Sequence, residues 1–230
     1  MRKILFSILL LPVFCHANVI ISATRTIYPS DKKEVSVQLL NDGADPSLVQ
    51  AWIDDGDPES TPETAKVPFL LIPPVVKVPA HSGQQLRVKY IGGSQPEDRE
   101  SVFYLNILDI PPVPENLQGK NVMQLAIRSR IKLFFRPVGL KVKPSAMIDS
   151  LTLIRKDKTI AINNESPYYL TLSALRSDHR RENALKKGLM VAPFSQISLQ
   201  EKNNFMRGTT VSVVYLNDYG ASIEARKKIQ

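Results

Sequence analysis

Few side chains in this 230-residue sequence could do chemistry. Cys15 is the only cysteine and lies in the N-terminal leader, so beyond it there is neither a thiol nucleophile nor a cysteine-rich metal site. His81 and His179 stand alone, with no second histidine at ligand spacing, and read as surface or turn residues. The acidic run "DDGDPE" (54–59) offers oxygens to a calcium ion, but it lacks the downstream Glu of an EF-hand loop and reads as a solvated turn. "NES" (164–166) fits a glycosylation acceptor, although Pro167 follows it. There is no GxSxG elbow, P-loop or dinucleotide fingerprint. No catalytic residue, metal or cofactor is expected. What stands out instead is "RSRIKLFFRP" (128–137), where Arg128, Arg130 and Lys132 alternate with Ile131 and Leu133 on the other parity. A period of two is a β-strand with one polar and one apolar face.

The elements that carry these residues are strands almost throughout. "KEVSVQLL" (33–40), "LVQAWI" (48–53), "QLRVKYI" (85–91) and "SVFYLNILDI" (101–110) alternate in the first half. "SLTLIR" (150–155), "TIAIN" (159–163), "YYLTLSAL" (168–175), "SQISLQ" (195–200) and "TTVSVVYLN" (209–217) do so in the second. Turn residues punctuate them at "NDG" (41–43), "SGQ" (82–84), "GG" (92–93) and two "PP" pairs (73–74, 111–112). Many short strands without a long amphipathic helix predict an all-β protein of antiparallel sandwiches. "RPVGLKVKP" (136–144) marks a boundary, because Pro137, Gly139 and Pro144 interrupt any ladder. Each side has about the length of one immunoglobulin-like sandwich, roughly 100 residues. The expected division is 18–138 and 139–230.

One feature is left over by a two-sandwich reading. The apolar parity of the basic strand continues upstream through Met123, Leu125 and Ile127, so the predicted strand runs from 123 to 135. Typical strands have about 5–6 residues. On periodicity alone, these three side chains would simply face their own core.

Compartment and charge bound the function. Arg2 and Lys3, an apolar stretch from Ile4 to Phe14 and the small Ala17 form a secretory signal, with cleavage expected after residue 17. The stretch is too short for the ~20 residues of a membrane span, and no later segment is long and apolar enough, so no stable membrane insertion is expected. The formal charge is +8. It is uneven: 13 basic residues face 14 acidic ones over 18–138, against 15 and 8 over 139–230. Export argues against nucleic acid as the partner of the basic half, which reads as a solvated face.

Four stretches carry more than periodicity. "ATRTIYPS" (23–30), "DRESVFYLNILDIPP" (98–112), "RIKLFFRP" (130–137) and "LNDYGA" (216–221) resemble, in wording, order and spacing, the periplasmic pilus chaperones of the PapD-like family. The likeness covers essentially the whole chain after the leader. It implies two immunoglobulin-like domains set at an angle with a cleft between them, in the periplasm of a Gram-negative bacterium. It implies a chaperone that lends a strand to an incomplete pilus subunit and passes it to an outer-membrane usher. Met123, Leu125 and Ile127 would be the lent apolar side chains. Arg25 and Lys132 match the pair that grips the subunit's terminal carboxylate, which would also fix the register. Arg128 and Arg130 inherit no role and are expected as rim charges. Glu100, Arg136 and Asp218 match an interdomain charge network that Arg87 is expected to join. Self-association of the free protein would protect an exposed donor edge, and the sequence leaves that oligomeric state open.

The sequence departs from the family at Gln95, where Leu is common, and at Ile72, where Thr commonly precedes the prolines. The latter leaves a cis or trans bond open. The short 113–121 connection and the lack of a cysteine pair after the leader favour the short-loop branch, which serves rod-like pili. A fibre subunit is the second reading, but such subunits are single sandwiches, usually with a disulfide. A secreted sandwich enzyme or sugar-binding domain is the third, and Trp52 with two scattered histidines gives it little support.

Overall fold

The computed structural model describes residues 19–113, 119–121, 123–177, 183–200 and 205–230. The expected leader (1–17) and His179 therefore lie outside the described residues. Sixteen described strands fall into four sheets. In the first half, β1 (Val19–Ile21), β3 (Val35–Asn41), β7 (Ser82–Tyr90) and β5 (Phe69–Ile72) form one sheet, in that order. Opposite it lie β2 (Arg25–Pro29), β9 (Ile127–Arg136), β8 (Ser101–Ile110), β4 (Ser47–Asp54) and β6 (Val75–Val78). In the second half, β10 (Leu151–Lys156), β11 (Thr159–Asn164) and β14 (Ser195–Gln200) face β13 (Leu189–Val191), β12 (Leu170–Ser177), β15 (Thr210–Leu216) and β16 (Ser222–Lys228).

Alternation decides which side chains fill each sandwich. Leu39, Val49, Leu86, Leu105, Leu133 and Phe135 point inward in the first core. Tyr28 stacks on Phe135 there with ring centroids 5.9 Å apart, and its hydroxyl accepts the Tyr90 N–H at 3.0 Å. Leu153, Ile160, Leu170, Leu172, Val211 and Val213 fill the second core. No residue is shared between the two cores, and the chain passes from one to the other between Phe135 and Met147. The molecule is two immunoglobulin-like β-sandwiches. Each uses a fully buried asparagine to tie loops together: Asn41 donates to Asp45, Val78 and Pro79 carbonyls, and Asn164 donates to those of Tyr168 and Ala192. Asn164 is thus a structural residue inside the "NES" sequence. The Ile72–Pro73 peptide bond, left open by the sequence, is cis.

Two expectations need correction. The strand predicted over 123–135 begins at Ile127. Its neighbour β8 stops at Ile110, and Pro111 and Pro112 follow, which have no N–H to continue a ladder. Met123 and Leu125 therefore precede the strand and are 96% and 70% exposed. The acidic run at 54–59 is a solvated turn only from Asp55 onward. Asp54 ends β4 and is 1% exposed.

Candidate functional site

The crossing of the first strand between sheets builds the site. β1 pairs with β3 in one sheet, and after residues 22–24 the chain enters the other as β2. β2 lies parallel to β9 but reaches only its C-terminal half, Lys132 to Arg136. β8 covers β9 along Ile127–Phe135 on the other side. Ile127 to Ile131 consequently have one strand partner instead of two among the described residues, and their second edge is open. A groove of about 450 Å³ runs along it, lined by Ile20, Ile21, Thr24, Asp109, Ile127 and Ile131 among others. Asp109 fixes its far wall by accepting from the Val19 N–H at 3.1 Å and from the Ser47 hydroxyl.

The open edge ends at two cations. Arg25 and Lys132 are register partners across the β2–β9 ladder, so they stand side by side on the outer face of the sheet. Arg25 is buried, and it donates to the Leu216 carbonyl of the second sandwich at 3.5 Å. Its Nε is buried without a hydrogen-bond acceptor among the described residues. No carboxylate there pairs with Lys132 either. Burial draws the Lys132 ammonium below its usual value, and the adjacent Arg25 charge adds to this. Burial lowers Arg25 too, opposed by the more distant charges of Asp218 and Glu100. Two desolvated cations with spare donors can hold a planar two-oxygen acceptor such as a carboxylate.

A turn of the second sandwich closes one side. Arg136 bridges the halves: its Nε donates to Glu100 at 2.7 Å, and its two terminal nitrogens donate to Asp218, both at 2.7 Å. The other Glu100 oxygen accepts the Tyr169 N–H at 2.8 Å. Gly220, two residues past Asp218, has φ +79°, and a Cβ there would overlap the Thr24 hydroxyl. Only glycine suits both demands. Phe134 completes the junction against Tyr169, with ring centroids 5.7 Å apart.

Arg87 does not join this group. It sits on β7 in the other sheet of the sandwich and pairs with Glu34 at 3.6 Å, both side chains well exposed. Arg128 and Arg130, expected as rim charges, are packed instead. Arg128 donates to Asn106 Oδ1 at 2.7 and 3.0 Å, and its guanidinium lies 4.8 Å from the Trp52 ring centre. Arg130 grips both oxygens of buried Asp54 and stacks 3.8 Å from the Tyr104 ring centre. Sequence reasoning missed this cluster, although parity signals it: Trp52 and Asp54, Tyr104 and Asn106, and Arg128 and Arg130 fall on one face of three adjacent strands.

Residues 18–141 match the family described as "Pili and flagellar-assembly chaperone, PapD N-terminal domain". Residues 146–227 match "Pili assembly chaperone PapD, C-terminal domain". The chain is 40% identical over 205 residues to the probable fimbrial chaperone YehC of Escherichia coli strain K12, covering 89% of this chain and 84% of YehC. It is 43% identical over 213 residues to the chaperone protein HifB of Haemophilus influenzae, covering 91% and 87%. Among solved structures, the CupB2 chaperone of Pseudomonas aeruginosa superposes with a TM-score of 0.78 at 35% identity, covering 92% of this chain and 100% of CupB2.

Proposed function

We propose that this chain, which belongs to the PapD family of pili-assembly chaperones, binds fimbrial subunits in the periplasm by lending them the open edge of β9. The observation that carries the reading is the coincidence of three features along β9, the residues leading into it and its β2 partner. Ile127–Ile131 have no second strand neighbour among the described residues, the apolar Met123, Leu125 and Ile127 are exposed at alternate positions, and the edge terminates at Arg25 and Lys132.

The mechanism follows from the geometry. An incomplete sandwich has an open apolar groove and unpaired strand edges, both prone to aggregation. β9 and the residues before it pair the backbone while Met123, Leu125 and Ile127 enter the groove, each contributing roughly 1.5–3 kcal/mol if fully buried. Arg25 and Lys132 hold the subunit's terminal carboxylate. That anchor sets the register, because a one-residue slip would turn every apolar side chain to the wrong face. From Lys132 to Met123 an extended chain spans about 30 Å, so one fixed end aligns the full contact. The work is binding and handing on, with no catalysis, cofactor or metal. The onward partner is an outer-membrane usher. When free, the protein covers its edge by self-association.

Capture from the host periplasm tests this, comparing the wild-type chain with Arg25→Ala/Lys132→Ala. The expected result is recovery of small sandwich-fold fimbrial subunits by wild type and their loss from the folded double variant. Equal retention by both removes the carboxylate anchor, and absence of any subunit while fimbrial genes are expressed removes the chaperone reading.

A further inference from the structure

The outer face of the sheet that presents Lys132 is arranged in cross-strand rows. Asp54, Tyr104, Lys132 and Arg25 are successive register partners across β4, β8, β9 and β2. The next row is Trp52, Asn106 and Arg130, and the third is Gln50, Leu108 and Arg128. Asp54 is the single acidic residue in these rows, and it shares its row with the anion-binding pair. Asp54 and Lys132 are separated by two strand spacings, about 10 Å. An extended lysine and a carboxylate can jointly bridge that gap over the Tyr104 ring.

They do not. Arg130 leans diagonally from its own row, sits over the Tyr104 ring with its Cζ 3.8 Å from the centre, and takes both Asp54 oxygens. Asn106 Nδ2 and the Gly56 N–H, each at 2.7 Å, satisfy further lone pairs of the same carboxylate. Arg128 follows the same diagonal, stacks on Trp52, donates to Asn106, and stands 3.9 Å from Asp54. A guanidinium is the better partner for this carboxylate because it is planar, forked, weakly hydrated and able to stack, whereas an ammonium is a compact hydrated charge.

We propose that Arg130 is a positioning residue for the anion site: by gripping the Asp54 carboxylate from over the Tyr104 ring, it keeps that carboxylate from pairing with Lys132. The proposal rests on the carboxylate-anchor reading above. It explains why a strand with a lent edge carries arginines on its opposite face. Those arginines engage the one carboxylate that shares the Lys132 row and prevent it from occupying the site of the incoming one.

The test uses the full chain after the leader and a synthetic peptide of a fimbrial subunit's C-terminal strand, as the free acid and as the amide. Wild type binds the acid about tenfold or more tighter than the amide. Arg130→Met lets Lys132 turn to Asp54, and the preference falls to about unity. Asp54→Asn/Arg130→Met removes the competitor, and the preference returns. Asp54→Asn alone leaves it within about twofold of wild type, since Asp54 already does not engage Lys132. A structural role alone would weaken acid and amide alike. Full preference in Arg130→Met, no recovery in the folded double variant, or a large gain in Asp54→Asn each overturns the proposal. That last variant decides the matter if Arg130→Met does not fold. No acid preference in wild type overturns the carboxylate anchor itself.

Discussion

Glu100 and Asp54 are both buried carboxylates held by an arginine, yet their ionisation is driven in opposite directions. For Glu100, burial dominates and raises the value above the ordinary 4.5, despite the Arg136 charge and the Tyr169 N–H. For Asp54, burial also acts upward, but it is outweighed by hydrogen bonds from Arg130, Asn106 and Gly56 and by the Arg130 charge, which leave it below 3.8. The signs have consequences. The folded chain holds the Glu100 proton more tightly than the unfolded chain, so this group makes stability fall as pH rises from 4.5 through its folded midpoint. Asp54 contributes stability that is complete above 3.8 and lost as pH falls through its lower folded midpoint. Carboxyl carbon titration by NMR should therefore find Glu100 titrating above 4.5 and Asp54 below 3.8. The reverse order would show that the Arg130–Asp54 clamp does not persist in solution.

Among the elements, β9 and β16 make opposite use of an open edge. β16 is the outer strand of its sheet and carries Glu224, Arg226, Lys227 and Lys228, charges that discourage pairing with another chain. Part of the basic excess of the second half has this physical use. β9 instead leaves Ile127–Ile131 open on one side among the described residues, and the residues leading into it expose Met123 and Leu125. A side chain that touches no core can be altered without loss of fold. Leu125→Ala should leave thermal unfolding unchanged and weaken subunit binding by about 2 kcal/mol, roughly thirtyfold, in a calorimetric titration. A comparable fall in thermal stability would return Leu125 to the protein's own core.

For the whole molecule, the junction decides whether the proposed anion site can form. Arg25 stands on the first sandwich but donates to Leu216 of the second, and the Asp218–Gly220 turn packs against Arg136 and Thr24. The Arg136–Asp218 pair is partly buried, with the side chains 15% and 30% exposed. Its contribution lies between that of a surface pair and a fully buried one, about 1–2 kcal/mol. Asp218→Asn should keep both sandwiches folded but broaden the distribution of their relative orientations. Residual dipolar couplings measured separately for the two halves would report this. A variant with unchanged relative alignment would assign the orientation to Phe134–Tyr169 and the Thr24–Gly220 contact instead.

Much was legible in the sequence because alternation is a local property. Strand parity alone gave β8 its full length, Ser101–Ile110, and placed Leu133 and Phe135 in the core. Two strands escaped it although burial alternates along both: β6 has valines on both parities, and β16 ends in three consecutive cations, Arg226, Lys227 and Lys228, so residue type does not follow the two-residue period. The motifs around Arg25, Lys132, Glu100, Arg136 and Asp218 were also visible as words. What those words could not supply was which strands lie next to one another. Arg25 and Lys132 are 107 positions apart, and only the parallel β2–β9 register makes them neighbours. Arg87 shares a strand type with the junction residues but lies on the opposite sheet, which no local pattern reveals. Asp54 looked like the start of a solvated turn because composition around it is acidic. Its burial arises from arginines 74 and 76 residues later, brought over it by the β4–β8–β9 order. Side-chain periodicity follows from backbone geometry and can be read from one strand. Which charge meets which follows from sheet order, a property of the whole fold.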